Sequence, residues 1–165
     1  MRPLLFFLLL LSPLCAQSQA DYDREIKGCE GFSWQPYRDG QTGKYAVGWG
    51  HSISRAEVPR HRNLSFDRLT QLYQADFSRA YAAALTQIPN WDEQPSEVRV
   101  LLVSLAYNTG ATGFSRFARF KQAIIQRDYL AAARELRESK WARQVGENRV
   151  ADSQKVLTRA AFRLR

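Results

Sequence analysis

The sequence predicts an α+β fold, mostly helical, in two lobes: a small N-terminal antiparallel sheet lobe and a larger helical lobe. Three observations carry that expectation. Between Phe32 and Ser52 four glycines, Gly40, Gly43, Gly48 and Gly50, punctuate short segments bearing Tyr37, Tyr45, Val47 and Trp49, the pattern of a small hairpin sheet with tight turns. From Ser65 onward apolar residues recur every three or four positions, the period of an amphipathic helix. The stretch Val98 to Tyr107 is apolar on nearly every face, as expected of a helix buried on all sides. A sheet lobe set against a helical lobe leaves a cleft where the two meet.

The elements follow in chain order. Arg2 precedes the apolar run Leu4 to Leu11, Ser12 and Pro13 break it, and Ser18-Gln19-Ala20 supplies small residues where a signal peptidase reads. Residues 1–20 therefore read as a cleavable export signal and 21–165 as one domain, which implies a periplasmic or secreted protein. The apolar run is short of the roughly 20 residues of a membrane span, and Leu14 stands before Cys15 where lipoprotein processing wants a small residue. Residues 21–30 read as a short helix ending at Glu30-Gly31, and 32–52 as the hairpin sheet. Ser65 is a plausible N-cap for a long helix carrying Leu69, Leu72, Tyr73, Phe77, Ala80 and Ala84, closed by Pro89. After the buried helix, Gly110 and Gly113 mark a turn, and helical periods resume over 114–126, 129–138 and 152–164.

Composition narrows the function classes. The chain has 165 residues, 45% hydrophobic and 24% charged, so collagen-like and wholly disordered readings fall away. Its formal net charge is +8; loss of residues 1–20 would remove Arg2 and no acid, leaving +7 on the domain. That basicity attracts polyanions without saying which. Cys15 leaves with the signal, so Cys29 has no partner in the domain, and burial of its thiol on an apolar helix face is the expectation.

Glu30 and Asp39 flank the start of the glycine-rich segment. Two carboxylates in different surroundings suit cleavage of a glycosidic bond, where one gives a proton to the leaving oxygen while the other stays ionised to activate water or stabilise positive charge on the sugar. Glu30, packed at the lobe junction beside Cys29, Phe32 and Trp34, fits the acid; Asp39, in a polar turn, fits the ionised partner. Taken as a bare pair among 16 acids the spacing decides nothing.

The surrounding block does. Cys29-Glu30-Gly31-Phe32-Ser33-Trp34-Gln35-Pro36-Tyr37-Arg38-Asp39-Gly40, followed by Val47-Gly48-Trp49-Gly50-His51, closely resembles the signature of phage-type lysozymes, glycoside hydrolase family 24. The resemblance continues through Leu105 to Phe114, through Tyr129 to Ala133 leading to Trp141, and to Arg149. It implies the two-lobed lysozyme fold, bacterial peptidoglycan as substrate, cleavage at the muramic acid side, and no metal or organic cofactor. Glu30 matches the family's general acid and Asp39 its second carboxylate. By the same resemblance Tyr107 and Asn108 face the cleft, Asn108 offering an amide to an N-acetyl group, and Ser52 follows the hairpin histidine; these three are the expected substrate-binding residues. The resemblance also pairs His51 with Asp76 in a structural salt bridge.

One departure bears on mechanism. Where the family usually has a threonine that helps the aspartate hold the attacking water, this chain has Ala46. Thr42 lies nearby as a substitute hydroxyl. Three outcomes stay open: hydrolysis with Asp39 positioning water alone, a lytic transglycosylase in which Glu30 acts alone and the sugar's own 6-hydroxyl attacks, or a peptidoglycan-binding module.

Rival classes are weaker. His51 and His61 stand ten residues apart with no Cys or His cluster, so no metal site is read. Nucleic acid is set aside as a partner because no recognisable binding motif accompanies the charge. The basic C-terminal helix, with Arg149, Lys155, Arg159, Arg163 and Arg165, is either a solvated face or a weak contact with anionic membrane or wall polymers. The chain is read as a monomer.

Overall fold

A computed structural model describes residues 18–40 and 43–163. Most of the signal reading, over residues 1–17, and Thr42 lie outside the described residues. No helix among the described residues is long and apolar enough to cross a membrane.

Helix α1 (Gln19–Glu30) begins two residues before its expected start. Tyr22 and Ile26 are its buried residues, and Glu30 continues their i, i+4 stripe, so the helix delivers that carboxylate to the interior side. Gly31, at φ +67°, ends it in a conformation that favours glycine. The thiol expectation is corrected here: Cys29 is exposed. It stands beside Glu25 one turn back, off the Tyr22–Ile26–Glu30 stripe, and Sγ lies 3.5 Å from Glu25 Oε1. Partial desolvation of the thiol, together with the Glu25 carboxylate, outweighs the pull of Arg149 and pushes it up to about 11. Lower thiolate content outweighs the greater nucleophilicity of a more basic thiolate, so at pH 7.5 iodoacetamide should alkylate Cys29 about tenfold more slowly than a small free thiol. A rate equal to that of N-acetylcysteine would contradict this.

The sheet is antiparallel in the order β1 (Ser33–Arg38), β2 (Tyr45–Gly48), β3 (His51–Ile53). Pro36 is tolerated because β1 is an edge strand and its pairing is irregular between Ser33↔Gly48 and Tyr37↔Ala46. Two cross-strand rows decide which side chains share a face. One is Arg38–Tyr45–Ile53; the other is Tyr37–Ala46–Ser52. The face of the first row packs inward: Val47 and Ile53 form a small core with Leu69, bordered by Tyr45, Val58, Leu64 and Leu72. The second row therefore looks the other way. A 3-10 turn, Arg55–His61, leads out of the sheet.

Helix α2 (Phe66–Gln87) serves both lobes. The Ser65 hydroxyl accepts from the Arg68 amide at 3.2 Å, which is the expected N-cap. Leu69 belongs to the sheet-lobe core, whereas Tyr73, Phe77, Ala80 and Ala84 belong to the main one. Trp49, at the β2–β3 turn, sits on the seam with its ring edge-on to Tyr73 at 5.5 Å and close to Phe32 and Phe66.

Helix α3 (Ser96–Ser115) is the hub of the core, with Val98, Leu101, Leu102, Val103, Leu105 and Ala106 all buried. Gly110, at φ +70°, interrupts it before a last turn. Helices α4 (Ala118–Ile125), α5 (Tyr129–Glu138) and α6 (Glu147–Arg163) complete the helical lobe. The helix expected over 114–126 starts later because Phe114 closes α3 instead. That expected over 152–164 starts five residues earlier: the polar residues Glu147, Asn148 and Arg149 open it, and Val150 is its first buried residue.

Candidate active site

Glu30 lies where α1, the end of α3, the start of α6 and the β2–β3 turn converge. Asn108 Nδ2 donates to its Oε1 at 3.1 Å, and Arg149 Nη2 reaches the same oxygen at 2.9 Å. Both side chains of the ion pair are largely withdrawn from water, 17% exposed for Arg149 and 14% for Glu30. Asn108 is itself held: Trp141 Nε1 donates to its Oδ1 at 2.8 Å, and the Arg149 guanidinium lies over the Trp141 ring at 5.9 Å. The four residues form one chain of charge-assisted and neutral hydrogen bonds that fixes the rotation of a single carboxyl.

The other oxygen, Oε2, points to the sheet lobe. Gly50 has φ +80°, and a Cβ there would sit 3.5 Å from Oε2. Glycine at this turn thus meets a backbone need and keeps space open beside the oxygen the network leaves over. One oxygen is engaged by the protein; the second faces the side from which a substrate would approach.

The sheet contributes Asp39. It follows β1 and continues the ladder by one step, its amide donating to the Lys44 carbonyl at 2.8 Å. Two residues on from Tyr37, it falls on the face of the Tyr37–Ala46–Ser52 row. Burial, and then the negative charges of Glu30 and Asp39, hold the Tyr37 phenol above its ordinary range, so a single ring feels both carboxylates. Ala46 is buried between its two row neighbours and brings only a methyl group to that face.

Ser52 is exposed on the same row, with its backbone opposite Ala46. The Tyr107 hydroxyl donates to the Trp49 carbonyl at 2.7 Å, tying α3 to the β2–β3 turn, and burial holds that phenol far above its usual range. Asn108 has its amide nitrogen on Glu30 and its oxygen on Trp141. Of the three residues expected to meet sugar, two are engaged with the protein and one faces outward.

The sequence places Arg149 in the resemblance without a role and in the basic C-terminal helix as a solvated or membrane-facing cation; the second expectation is corrected here, since Arg149 is turned inward onto Glu30. Its partner lies 119 residues away and polar residues open its helix. His51 Nδ1 is 2.8 Å from Asp76 Oδ2, the expected pair, and Arg79 also reaches Asp76. The His51 and His61 ring centroids lie 6.0 Å apart at a tilt of 33°, with His61 Nδ1 turned to the Glu57 carbonyl. Among the described residues no group of three or more His, Cys, Asp or Glu is placed to hold a metal ion.

Residues 27–159 match the family model described as phage lysozyme. No curated protein matches the chain.

Proposed function

The chain belongs to the phage lysozyme family of peptidoglycan-lytic enzymes, and on that premise we propose that it is a muramidase, hydrolysing the β-1,4 bond between N-acetylmuramic acid and N-acetylglucosamine. The observation that carries the reading is the Glu30 carboxyl, gripped on Oε1 by Arg149 and Asn108 while Oε2 faces the sheet across Gly50. In this reading Oε2 carries the proton that passes to the glycosidic oxygen as the bond to the sugar's C1 breaks. Asp39, ionised, faces the positive charge that develops on the ring and receives a proton from the water whose oxygen bonds to C1. The leaving sugar departs with its new hydroxyl. The proton taken up by Asp39 returns through solvent to Glu30, and the C1 hydroxyl keeps the water's other proton.

Arg149, Asn108 and Trp141 act as positioning residues, holding the acid so that its free oxygen meets the substrate in one orientation. Ser52 is the outward group for sugar; Tyr107 supports the turn that shapes the site, and Asn108 has a second N–H on Nδ2 for an N-acetyl group while the first holds Glu30. Export with removal of residues 1–20, action as a monomer in the periplasm or outside the cell, and weak contact with anionic membrane or wall polymers belong to the same proposal. A cut after Ala20 would shorten α1 by two residues and leave its Tyr22–Ile26–Glu30 stripe whole.

Ala46 supports a second reading, because a methyl group offers no hydrogen bond to an attacking water. There the muramic 6-hydroxyl attacks C1, Glu30 serves both proton transfers, and the product is an anhydro sugar. Mass spectrometry of fragments from purified peptidoglycan separates the two: reducing muramic ends are expected, anhydro ends would replace hydrolysis by transglycosylation, and intact sacculi would overturn both.

A further inference from the structure

At the tip of the sheet, on the side away from the Tyr37–Ala46–Ser52 row, lies a depression of about 480 Å³ lined by Arg38, Lys44, Tyr45, Ser54 and Arg55 among others. Its floor is the cross-strand row Arg38–Tyr45–Ile53. Three of the lining residues are cations, and none of those described is an acid. We propose that this pocket seats a carboxylate of the peptide stems that peptidoglycan carries on its muramic acid residues, an inference that rests on the substrate class of the proposed function.

The pocket is built around one guanidinium. Arg38 Nε donates to the Gly43 carbonyl at 3.2 Å, so the head group is held across the turn. Gly43 stands at φ +68°, and a Cβ there would come within 3.5 Å of Arg38 Nη2. Glycine keeps the approach to that nitrogen clear. Glu57, in the 3-10 turn that follows, is committed to its cap through the Ser54 amide at 2.8 Å. A concave polar surface that gathers the Arg38 and Arg55 guanidiniums selects an anion, and a planar carboxylate suits the guanidinium fork.

Position identifies the source of the anion. Arg38 and Asp39 are consecutive, so the pocket begins one residue from the carboxylate that faces the sugar chain. The aminosugar backbone itself is uncharged, and its anions sit on the stems that leave the lactyl groups. An extended stem advances about 3.4 Å per residue, so three residues, about 10 Å, carry a stem carboxylate from a muramic residue beside Asp39 round the sheet edge to Arg38. Neutral glycan has no group for this pocket.

The test uses the full chain bearing Glu30→Gln, which keeps ligands uncut, and measures calorimetric binding of a soluble disaccharide-tetrapeptide, its carboxyl-amidated form, and a stem-free glycan of equal length made of N-acetylglucosamine alone, which has no lactyl carboxylate. Replacing Arg55 with Gln, alone and together with Arg38→Gln, should weaken the tetrapeptide ligand about tenfold, leave stem-free glycan unaffected, and abolish the difference between free and amidated stems. The single Arg55 variant guards against a turn disturbed by loss of the Arg38 contact. Equal loss for all three ligands, no loss for any, or equal displacement of the stem by millimolar inorganic phosphate would overturn the inference. Wild-type chain that leaves sacculi intact would instead sink the functional reading, an outcome these affinities do not share.

Discussion

Glu30→Gln should lower release of fragments from purified peptidoglycan by about 10³-fold, within the range that removal of a general acid produces. The substitution is close to isosteric. Its amide oxygen can still accept from Asn108 and Arg149, which now reach Oε1 at 3.1 and 2.9 Å, so the fold and the site's shape should persist. What disappears is the dissociable proton on the oxygen beside Gly50. Glu30→Asp is the more revealing companion: it keeps the proton and withdraws it by one methylene, and a displacement of that size can cost about 10²-fold when geometry governs proton transfer. Activity should therefore rank wild type, then Asp, then Gln, with thermal midpoints that differ far less than the rates. A Gln variant retaining a tenth or more of wild-type turnover would remove Glu30 from the chemistry.

Asp39→Asn divides the two mechanisms on the same substrate. Water attack needs the charge that this change removes, whereas internal attack by the 6-hydroxyl depends on Glu30. A deep loss with reducing ends in the residual product supports hydrolysis; near-full turnover with anhydro ends supports the alternative.

Much of this arrangement is legible in the amino-acid sequence because periodic signals report burial. The buried helix α3, the Ser65 cap and the hairpin glycines each have a local cause that sequence displays: an apolar surface on all sides, a hydroxyl one residue before a period begins, a backbone turn. Glu30 and Asp39 were legible only through the block around them, since a carboxylate pair has no signature of its own. The rest depended on contacts between distant residues. Helix α6 opens on polar residues, Arg149 among them to serve the site, and that polarity hid both the start of the helix and the residue. Asn108 looked like an outward amide, yet its nearest demands are Glu30 and the Trp141 indole. Cys29 was assigned to the core by residue type, whereas helix phase put Glu30 on the inward stripe and left the thiol beside Glu25.

Arg149→Met should destabilise the protein by about 3 kcal/mol, because removing one partner of a largely buried, charge-assisted contact leaves Glu30 Oε1 with Asn108 alone. Methionine keeps a long side chain in contact with the Trp141 ring, so the loss reports charge and hydrogen bonding more than volume. The decisive comparison is a cycle with Glu30→Gln, read by urea unfolding at fixed pH. If the pair is the source of the effect, the double variant recovers most of the stability, with a coupling of at least about 1.5 kcal/mol. Additive losses would mean that Arg149 contributes packing alone. The activity of Arg149→Met should fall about tenfold, as a carboxyl held only by Asn108 loses part of its fixed rotation. Arg149→Lys sharpens the point. It restores a positive charge without the planar fork that spans Oε1 and the indole face, so stability should return further than activity, and the gap between the two measures how much of the arginine's work is orienting the acid.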